Sequence, residues 1–292
     1  MNALSGLPPF RSPADILRNR NFAAARDLHC RLHMELYTDS RFAQLSMAAP
    51  RNMLMGSVIA LWAAHDPGNR TTWPTLGMLK EKTAGFNLCS PRMVDDVVAR
   101  LKSIGFIEEV PAAGDARVKL LKPSEAMLAH DRRYNLVFFS PLEVLFPTSI
   151  DYRGGATMDP EFHLAQRAVG FTVMQEAHER VHVHGPLFRH FIRDAGYPVA
   201  IWIRTARDTG GAAAISLSDL AQQSSVSRTH IRSILRELEA EGYIRMSWRG
   251  QSRLVEATDK FVNEFDDFVA DVLSAHDLMT QLVIVIRSQT QA

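Results

Sequence analysis

Three arginines, Arg228, Arg232 and Arg236, recur at every fourth position in the segment that begins at Ser227. Residues four apart lie on the same face of an α-helix, so the three guanidinium groups would form one row. Guanidinium groups keep their positive charge at neutral pH and match the geometry of phosphate and carboxylate groups. The spacing therefore predicts a helix face that meets either water or a polyanion.

The neighbouring apolar residues predict where the opposite side of this helix is buried. They follow the three- and four-residue spacing of a single helical face: Ile231, Ile234, Leu235 and Leu238. Ser227 is a suitable N-cap, and Gly242 can adopt the left-handed conformation that ends many helices. We therefore predict a helix over residues 227–241 with its apolar face in the core.

After Gly242 the hydrophobic pattern changes to a period of two, which is typical of strands. Residues 243–247 and 253–255 are predicted as a hairpin, and the basic turn between them covers residues 249–252.

Upstream of the arginine row, residues 215–217 are predicted as a third short strand. Ser218 is predicted as the N-cap of a short helix over residues 219–223. The predicted order is then strand, helix, turn, arginine-bearing helix and hairpin.

This order resembles the winged helix-turn-helix family, in which the second helix enters the major groove and the hairpin, or wing, touches the adjacent backbone or minor groove. The resemblance implies that helix and wing supply the contacts to double-stranded DNA: Arg228, Thr229, His230, Arg232, Arg236, Arg249, Gln251 and Arg253. The alternative is a solvated surface, with the arginines beside Glu237, Glu239 and Glu241.

A second copy of the pattern occurs earlier in the chain. SPRMVDDVVARLKSIGFIEEV aligns without gaps to SRTHIRSILRELEAEGYIRMS, so that Ser90 matches Ser227 and Gly105 matches Gly242. This internal similarity predicts a duplicated, mainly α fold with small β-hairpin wings: two winged helix-turn-helix modules in one chain. The glycines at 154 and 155 mark the predicted boundary, which gives modules 1–153 and 154–292.

The two copies differ where DNA contact is expected. Pro91, Asp95 and Ala99 replace the arginine row in the first copy, which leaves Arg92 as a candidate contact. The first wing contains Asp115-Ala116-Arg117, which resembles the wing of MarR-like transcriptional regulators. That resemblance implies that Arg117 reaches into the minor groove and that Asp115 supports it.

The MarR-like resemblance also implies dimer-forming helices, here over residues 22–36 and 162–180. They would build a pseudo-dimer within the chain or a homodimer between chains. A small-molecule effector is a further partner that the resemblance allows. The apolar stripe from Phe261 to Leu273 is expected to pack within the molecule.

Composition restricts the classes of protein that fit. The chain has 292 residues, of which 46% are hydrophobic and 22% charged, and its net charge is +1, so any DNA contact must come from local clusters. Two cysteines, Cys30 and Cys89, favour a reducing compartment. Without a signal peptide or a long apolar segment, we expect a cytoplasmic protein with no membrane partner.

The sequence contains none of the common motifs of hydrolases, nucleotide-binding enzymes or metalloproteases, so we expect no enzyme activity, catalytic residue or cofactor. In the cluster of His178, His182 and His184, with His190 beyond, two imidazoles four residues apart could hold zinc on one helical face, but no third ligand on that face and no supporting shell is evident, so we expect no metal site. Cys89 precedes a helix N-cap and could act as a redox sensor, although a small buried residue is the stronger interpretation. Trp248 could pack under the second wing or stack on a sugar of DNA, and packing is the stronger interpretation.

These features predict a sequence-specific, DNA-binding transcriptional regulator. Two alternatives keep the fold. The first is a plasmid or chromosome replication initiator. The second is a winged-helix scaffold that binds proteins, which the acidic Asp95 and Asp96 favour.

Overall fold

The computed structural model describes residues 8–36, 49–85, 89–149, 151–181, 186–208, 212–224, 226–249 and 252–290. Within these ranges the side chains of residues 49, 171–181, 208, 212–215, 223, 249, 252, 253, 289 and 290 are not described. The chain is mainly helical, with small antiparallel sheets, as the sequence predicts.

The described elements of the N-terminal half follow one another as helices around a single hairpin. They are α1 (Pro13–Leu17), α2 (Phe22–Leu36), α3 (Ala49–Ala63), α4 (Leu76–Ala84), α5 (Pro91–Ser103), β1 (Ile107–Ala112), β2 (Asp115–Pro123) and α6 (Glu125–Leu145). A short 3-10 turn, Arg70–Thr72, precedes α4.

The described elements of the C-terminal half end in the same order of two helices, a hairpin and a long helix. They are α7 (Arg153–Ala156), α8 (Pro160–Val181), α9 (Phe188–Phe191), α10 (Gly196–Asp208), β3 (Ala212–Ile215), α11 (Leu217–Gln223), α12 (Arg228–Ala240), β4 (Ile244–Arg249), β5 (Ser252–Ala257) and α13 (Asp259–Thr290).

The two sheets differ in size. β1 and β2 form an antiparallel pair, whereas β5 lies between β3 and β4 in an antiparallel three-stranded sheet. The third strand covers residues 212–215, so the strand predicted at residues 215–217 was placed too far toward the C-terminus, and only Ile215 belongs to both. In the N-terminal half, β2 is not joined by a third described strand. The Leu121 amide of β2 instead donates a hydrogen bond to the Pro74 carbonyl, at 2.8 Å.

Local signals for helix ends are confirmed where the two copies align. The side chains of Ser90 and Ser227 accept hydrogen bonds from the amides of Met93 and His230 and cap α5 and α12. Gly105 and Gly242 both have φ of +76°, the conformation predicted to end these helices. The short helix α11 is an exception, because Ser216 rather than Ser218 caps it.

Two main clusters of buried apolar side chains hold the described residues together. The smaller lies within residues 54–127 and packs α3, α4 and α5 against the first hairpin. The larger joins α1, α2 and the end of α6 to α8 through α13. It includes the predicted apolar stripe, since Phe261, Phe265 and Leu273 are fully buried there.

The larger cluster brings together both ends of the described chain. Arg11 donates hydrogen bonds from its backbone amide and its guanidinium group to the buried carboxylate of Asp277, at 2.6 and 3.3 Å. The Tyr152 hydroxyl donates to the same carboxylate at 2.8 Å and accepts from Arg11 at 2.7 Å. The segment before α1 is thus fastened to the middle of α13.

The glycines near the predicted module boundary lie in a short helix rather than an open linker. A Cβ atom at Gly155 would lie 2.2 Å from the ring of Phe139, and one at Gly154 would lie 2.7 Å from the ring of Phe162. These glycines therefore permit close packing of α7 against α6 and α8. The boundary at 153/154 itself stays a prediction.

One described helix, over Asp259–Ser288, is long and apolar enough to cross a membrane by length and composition. Half of its most apolar window is buried inside the protein, and a single helix of this kind is weak evidence for a membrane span.

Candidate nucleic-acid interface

The predicted arginine row lies on the exposed face of α12. Arg228, Arg232 and Arg236 are exposed, and Thr229 is exposed beside them. The predicted apolar residues form another, buried face of the helix and anchor it in the core: Ile231, Ile234, Leu235 and Leu238.

A third face of α12 contacts the segment between α8 and α10. The Arg193 guanidinium group donates to Glu237, which also accepts from the Ser233 hydroxyl at 2.8 Å. Glu241 pairs with Arg189 and, at 3.1 Å, with the buried His190. The hydrogen bonds that Arg193 and Ser233 donate to Glu237, above all the one from Arg193, lower the pKa of the Glu237 carboxyl.

The last glutamate near the row, Glu239, turns toward the second hairpin. Its carboxylate accepts a hydrogen bond from the backbone amide of Met246, at 2.9 Å. β4 is an edge strand, so this contact satisfies an amide that no neighbouring strand reaches.

The glutamates that could have neutralised the arginine row are therefore engaged elsewhere. Among the described residues, no carboxylate lies within ion-pair distance of Arg228, Arg232 or Arg236. The row presents concentrated positive charge on a chain whose overall net charge is +1. Such local concentration attracts polyanions.

His230 does not extend the row. Its Nε2 atom is hydrogen-bonded to the carbonyl oxygen of Asp194 at 2.8 Å, which ties the first turn of α12 to the segment before α10. The Asp194 carboxylate in turn pairs with Arg51 of α3, at 3.0 Å. The geometry gives His230 a bond within the protein, a role that the sequence did not suggest.

The second hairpin adds an exposed cation and an exposed aromatic ring. Arg245 is exposed, and Trp248 is 65% exposed, so the expectation that Trp248 packs under the hairpin is wrong. Arg249 and Arg253 lie in paired strands, but their side chains, like the whole of Gln251, fall outside the described residues.

In the first hairpin, the carboxylate of Asp115 binds two arginine side chains. Asp115 accepts hydrogen bonds from Nε of Arg117 at 3.2 Å and from the Arg70 guanidinium group at 3.1 Å. The hydrogen bond from Arg117 is the first cause of the lowered pKa of the Asp115 carboxyl. Arg117 and Arg70 remain 93% and 67% exposed.

Sequence reasoning identified Asp115 and Arg117 but missed Arg70, which precedes them by more than forty positions. Arg70 also lies over the ring of Trp73, with 5.0 Å between its guanidinium carbon and the ring centre. No local spacing connects Arg70 to the hairpin, because the fold alone brings them together.

Helix α5 presents a different surface from α12. Arg92 is exposed near its N-terminus, and Asp95 and Asp96 are exposed on the same helix. Asp95 pairs with Lys80 of α4 at 2.6 Å. The surface of α5 therefore carries charges of both signs, unlike the arginine row of α12.

The residues considered for other chemistry are placed as follows. His182 and His184, and the side chain of His178, lie outside the described residues. No cluster of His, Cys, Asp and Glu within the described ranges could hold a metal ion. Burial raises the pKa of the Cys89 thiol to about 11, and its Sγ lies 3.7 Å from the Pro50 carbonyl, which favours the interpretation of Cys89 as a structural residue over that of a redox sensor.

An open cleft of about 610 Å³ lies between α2 and α10, where Leu28, Met34 and Ile201 form apolar walls and Asp27 and Arg31 add charged groups. Its size is that of a small-molecule pocket, and α10 leads directly into β3 and α11.

The sequence matches no protein-family model, and no curated protein is significantly similar to it. The case for a function therefore depends on the residues and geometry described above.

Proposed function

We propose that this chain is a sequence-specific, double-stranded-DNA-binding transcriptional regulator. In this proposal α12 enters the major groove, and the hairpins contact the flanking DNA. The observation that carries it is the exposed row of Arg228, Arg232 and Arg236, whose neighbouring glutamates are bound to other partners.

The proposed contacts follow from the chemistry of the row. Arginine can bind the O6 and N7 atoms of guanine with two hydrogen bonds, or neutralise a phosphate. The Thr229 hydroxyl, exposed beside the row, can donate to a phosphate or a base edge. Neutralised phosphates release counterions, so binding should weaken steeply with salt.

We further propose that the two halves are tandem winged helix-turn-helix modules of a MarR-like type. A capped helix, a glycine end, a hairpin and a long helix follow in the same order in both halves, which supports an internal duplication. The Asp115 to Arg117 bond supports the wing role of Arg117. The proposal includes a cytoplasmic location, either a pseudo-dimer within the chain or a homodimer, and a small effector, for which the cleft beside α10 is the candidate.

The first experiment is a salt titration of binding to random duplex DNA by the wild type and by Arg232→Ala. We expect a steep salt dependence whose slope falls by about one in the variant if Arg232 holds a phosphate. If Arg232 reads a base, discrimination between sites should fall by about 1–3 kcal/mol. Arg133→Ala is the matched control, since Arg133 is an exposed arginine on α6.

Equal binding by Arg232→Ala and the wild type would remove the row from the interface. Complete lack of binding at low salt would reject DNA as the partner. It would instead favour the protein-binding scaffold, for which the exposed Asp96 on α5 is the supporting observation.

A replication initiator would use the same DNA surface. Mapping of bound sites separates the two functions, because repeated sites clustered at an origin favour an initiator and dispersed promoter sites favour a regulator.

A further inference from the structure

The loop between α3 and α4 holds its backbone at Arg70 through its own hydrogen bonds. The Asp66 amide donates to the Thr72 hydroxyl at 2.8 Å, and that hydroxyl donates to the Asn69 carbonyl, also at 2.8 Å. The Asn69 side chain accepts a hydrogen bond from the Thr71 amide at 3.1 Å and caps the 3-10 turn that begins at Arg70. The backbone from which Arg70 projects is therefore fixed within the loop.

Trp73 anchors this loop on the first hairpin. Its buried side chain lies in an apolar cluster with Ala112 and Leu120 of the hairpin. Its indole Nε1 donates a hydrogen bond to the Pro67 carbonyl at 3.2 Å, and the Arg70 guanidinium group lies over the ring. The loop and the hairpin are thus packed together, and this packing sets the position of Arg70 beside the hairpin.

The guanidinium groups of Arg70 and Arg117 are held at the two oxygens of one carboxylate. Arg117 donates from Nε to Oδ1 of Asp115, and Arg70 donates from a terminal nitrogen to Oδ2. A guanidinium group has five N–H donors, so each arginine keeps most of its donors for another acceptor. Because the Arg70 and Arg117 side chains are largely exposed, those donors can reach a ligand from solvent.

The charges around the pair leave this end of the hairpin positive. The other two carboxylates of the first hairpin pair with lysines: Glu108 with Lys122 at 3.8 Å and Glu109 with Lys102 at 2.8 Å. Lys119 is exposed two residues after Arg117, on the same face of β2. The loop contributes one exposed acid, Asp66, so Arg70, Arg117 and Lys119 outnumber Asp66 and Asp115.

We propose that Arg70 and Arg117, positioned by Asp115, form one clamp for a backbone phosphate of duplex DNA, so that Arg70 is a DNA-contacting residue outside the helix and the hairpins. The proposal rests on the proposed DNA-binding function. The planar guanidinium fork matches a phosphate as it matches a carboxylate. The loop and the hairpin hold both groups in place before DNA arrives, which reduces the entropy lost on binding.

The exposure of the pair favours DNA over a small anion. Sites for small ligands are concave and enclose most of the ligand, whereas the Arg117 side chain is 93% exposed. An extended polyanion needs no such enclosure, because its neighbouring phosphates add to the attraction.

Loss of one phosphate contact should change the salt dependence of binding. We expect Arg70→Ala to lower the slope of log affinity against log salt by about one. Affinity should fall by the same factor for two duplexes of unrelated sequence, because a phosphate contact carries no base information. Arg70→Lys should keep the wild-type slope, since an ammonium group also neutralises a phosphate. Arg18→Ala is the matched control, because Arg18 is 73% exposed and pairs with one carboxylate, that of Asp15, at 2.7 Å.

The direct test uses the wild type, so it does not depend on whether a variant folds. Arginines are modified with phenylglyoxal, with and without a random-sequence duplex at low salt, and the modified peptides are identified by mass spectrometry. We expect the duplex to protect Arg70 and Arg117 and to leave Arg18 as reactive as in the free protein. Inorganic phosphate at the same phosphate concentration should protect neither Arg70 nor Arg117.

Three other outcomes overturn the proposal in distinguishable ways. If the protein binds the duplex with a steep salt dependence while Arg70 stays fully reactive, the clamp is rejected and the DNA-binding function stands. If inorganic phosphate protects Arg70 as well as the duplex does, the pair is a small-anion site and its assignment to DNA is rejected. If the protein does not bind the duplex at low salt, both proposals fail together.

Discussion

Nε2 of His230, in the first turn of α12, is hydrogen-bonded to the carbonyl oxygen of Asp194, and the carboxylate of Asp194 is paired with Arg51 of α3. A residue that the sequence placed among the DNA contacts thus joins the arginine-bearing helix to a helix of the other half. The orientation of α12 depends on this connection as well as on its buried face.

The bond predicts that His230→Ala lowers the free energy of unfolding by about 1 kcal/mol, the usual contribution of one hydrogen bond within a protein. Urea unfolding monitored by circular dichroism measures this change. Thr229→Ala is the control, because Thr229 is the exposed neighbour on the same turn. A lower DNA affinity for His230→Ala with unchanged stability would instead assign His230 to the groove.

The direction in which Asp115→Ala changes DNA affinity distinguishes two roles for Asp115: a repulsive charge, or a group that orients two arginines. Removal of a negative charge should strengthen DNA binding if only charge matters, whereas loss of the group that orients Arg117 and Arg70 should weaken it. We expect Asp115→Ala to weaken binding by about two- to tenfold, the effect of one lost hydrogen bond. Asp96→Ala, which removes an exposed acid of α5, should not weaken binding. Stronger binding by Asp115→Ala would reject the positioning role.

Buried histidines predict a loss of stability in mild acid. Burial lowers the pKa of His29 to about 4, and burial together with the nearby His29 lowers the pKa of His33 well below 6.5. Between about pH 6.5 and pH 4 the unfolded chain therefore binds protons that the folded chain does not. Each such group should reduce stability by about 1.4 kcal/mol per pH unit as the pH falls through this window.

Urea unfolding at pH 7 and at pH 5 checks this expectation. His29→Gln should reduce the pH dependence, because glutamine does not titrate and can still bond to the Val137 carbonyl and the Tyr197 hydroxyl, the partners of His29 at 2.9 and 2.7 Å. Equal stability of the wild type at the two pH values would contradict the prediction.

Both cysteines should react slowly with thiol reagents in the folded protein. Burial raises the pKa of the Cys30 thiol to about 12 and that of Cys89 to about 11, so little thiolate exists at neutral pH. Reaction with a chromogenic disulfide at pH 7.5 should be slow for the native protein and fast in urea. Rapid reaction of the native wild type that Cys89→Ser abolishes would restore the redox-sensor hypothesis.

Features governed by neighbours in the sequence could be predicted. The caps at Ser90 and Ser227, the left-handed glycines at 105 and 242, and the buried face of α12 depend on residues within a few positions of one another. Helix and strand spacing describes such neighbours directly. The helix over residues 22–36, expected from the resemblance rather than from spacing, also has those bounds in the structure.

Features governed by distant residues could not be predicted. Glu237 and Glu241 find Arg193 and His190, which lie 44 and 51 positions away, so the sequence could not show that these glutamates leave the arginine row uncompensated. Trp248 is 65% exposed, which the alternation along its strand did not indicate. The periodicity of a sequence indicates which residues share one face of a helix or strand, but not which other residues contact that face.

The bond between Arg11 and Asp277 spans 266 positions and belongs to a cluster that needs both α1 and α13. During synthesis, all residues of the smaller cluster, within residues 54–127, leave the ribosome before those of the C-terminal half. The larger cluster can form completely only after α13, the last long helix, has left the ribosome. Until then α1 exposes the apolar face that α13 will cover, whereas α2 can already pack against α6. The nascent chain therefore passes through a stage of partial order, in which chaperones would find their binding sites on the oldest part of the polypeptide.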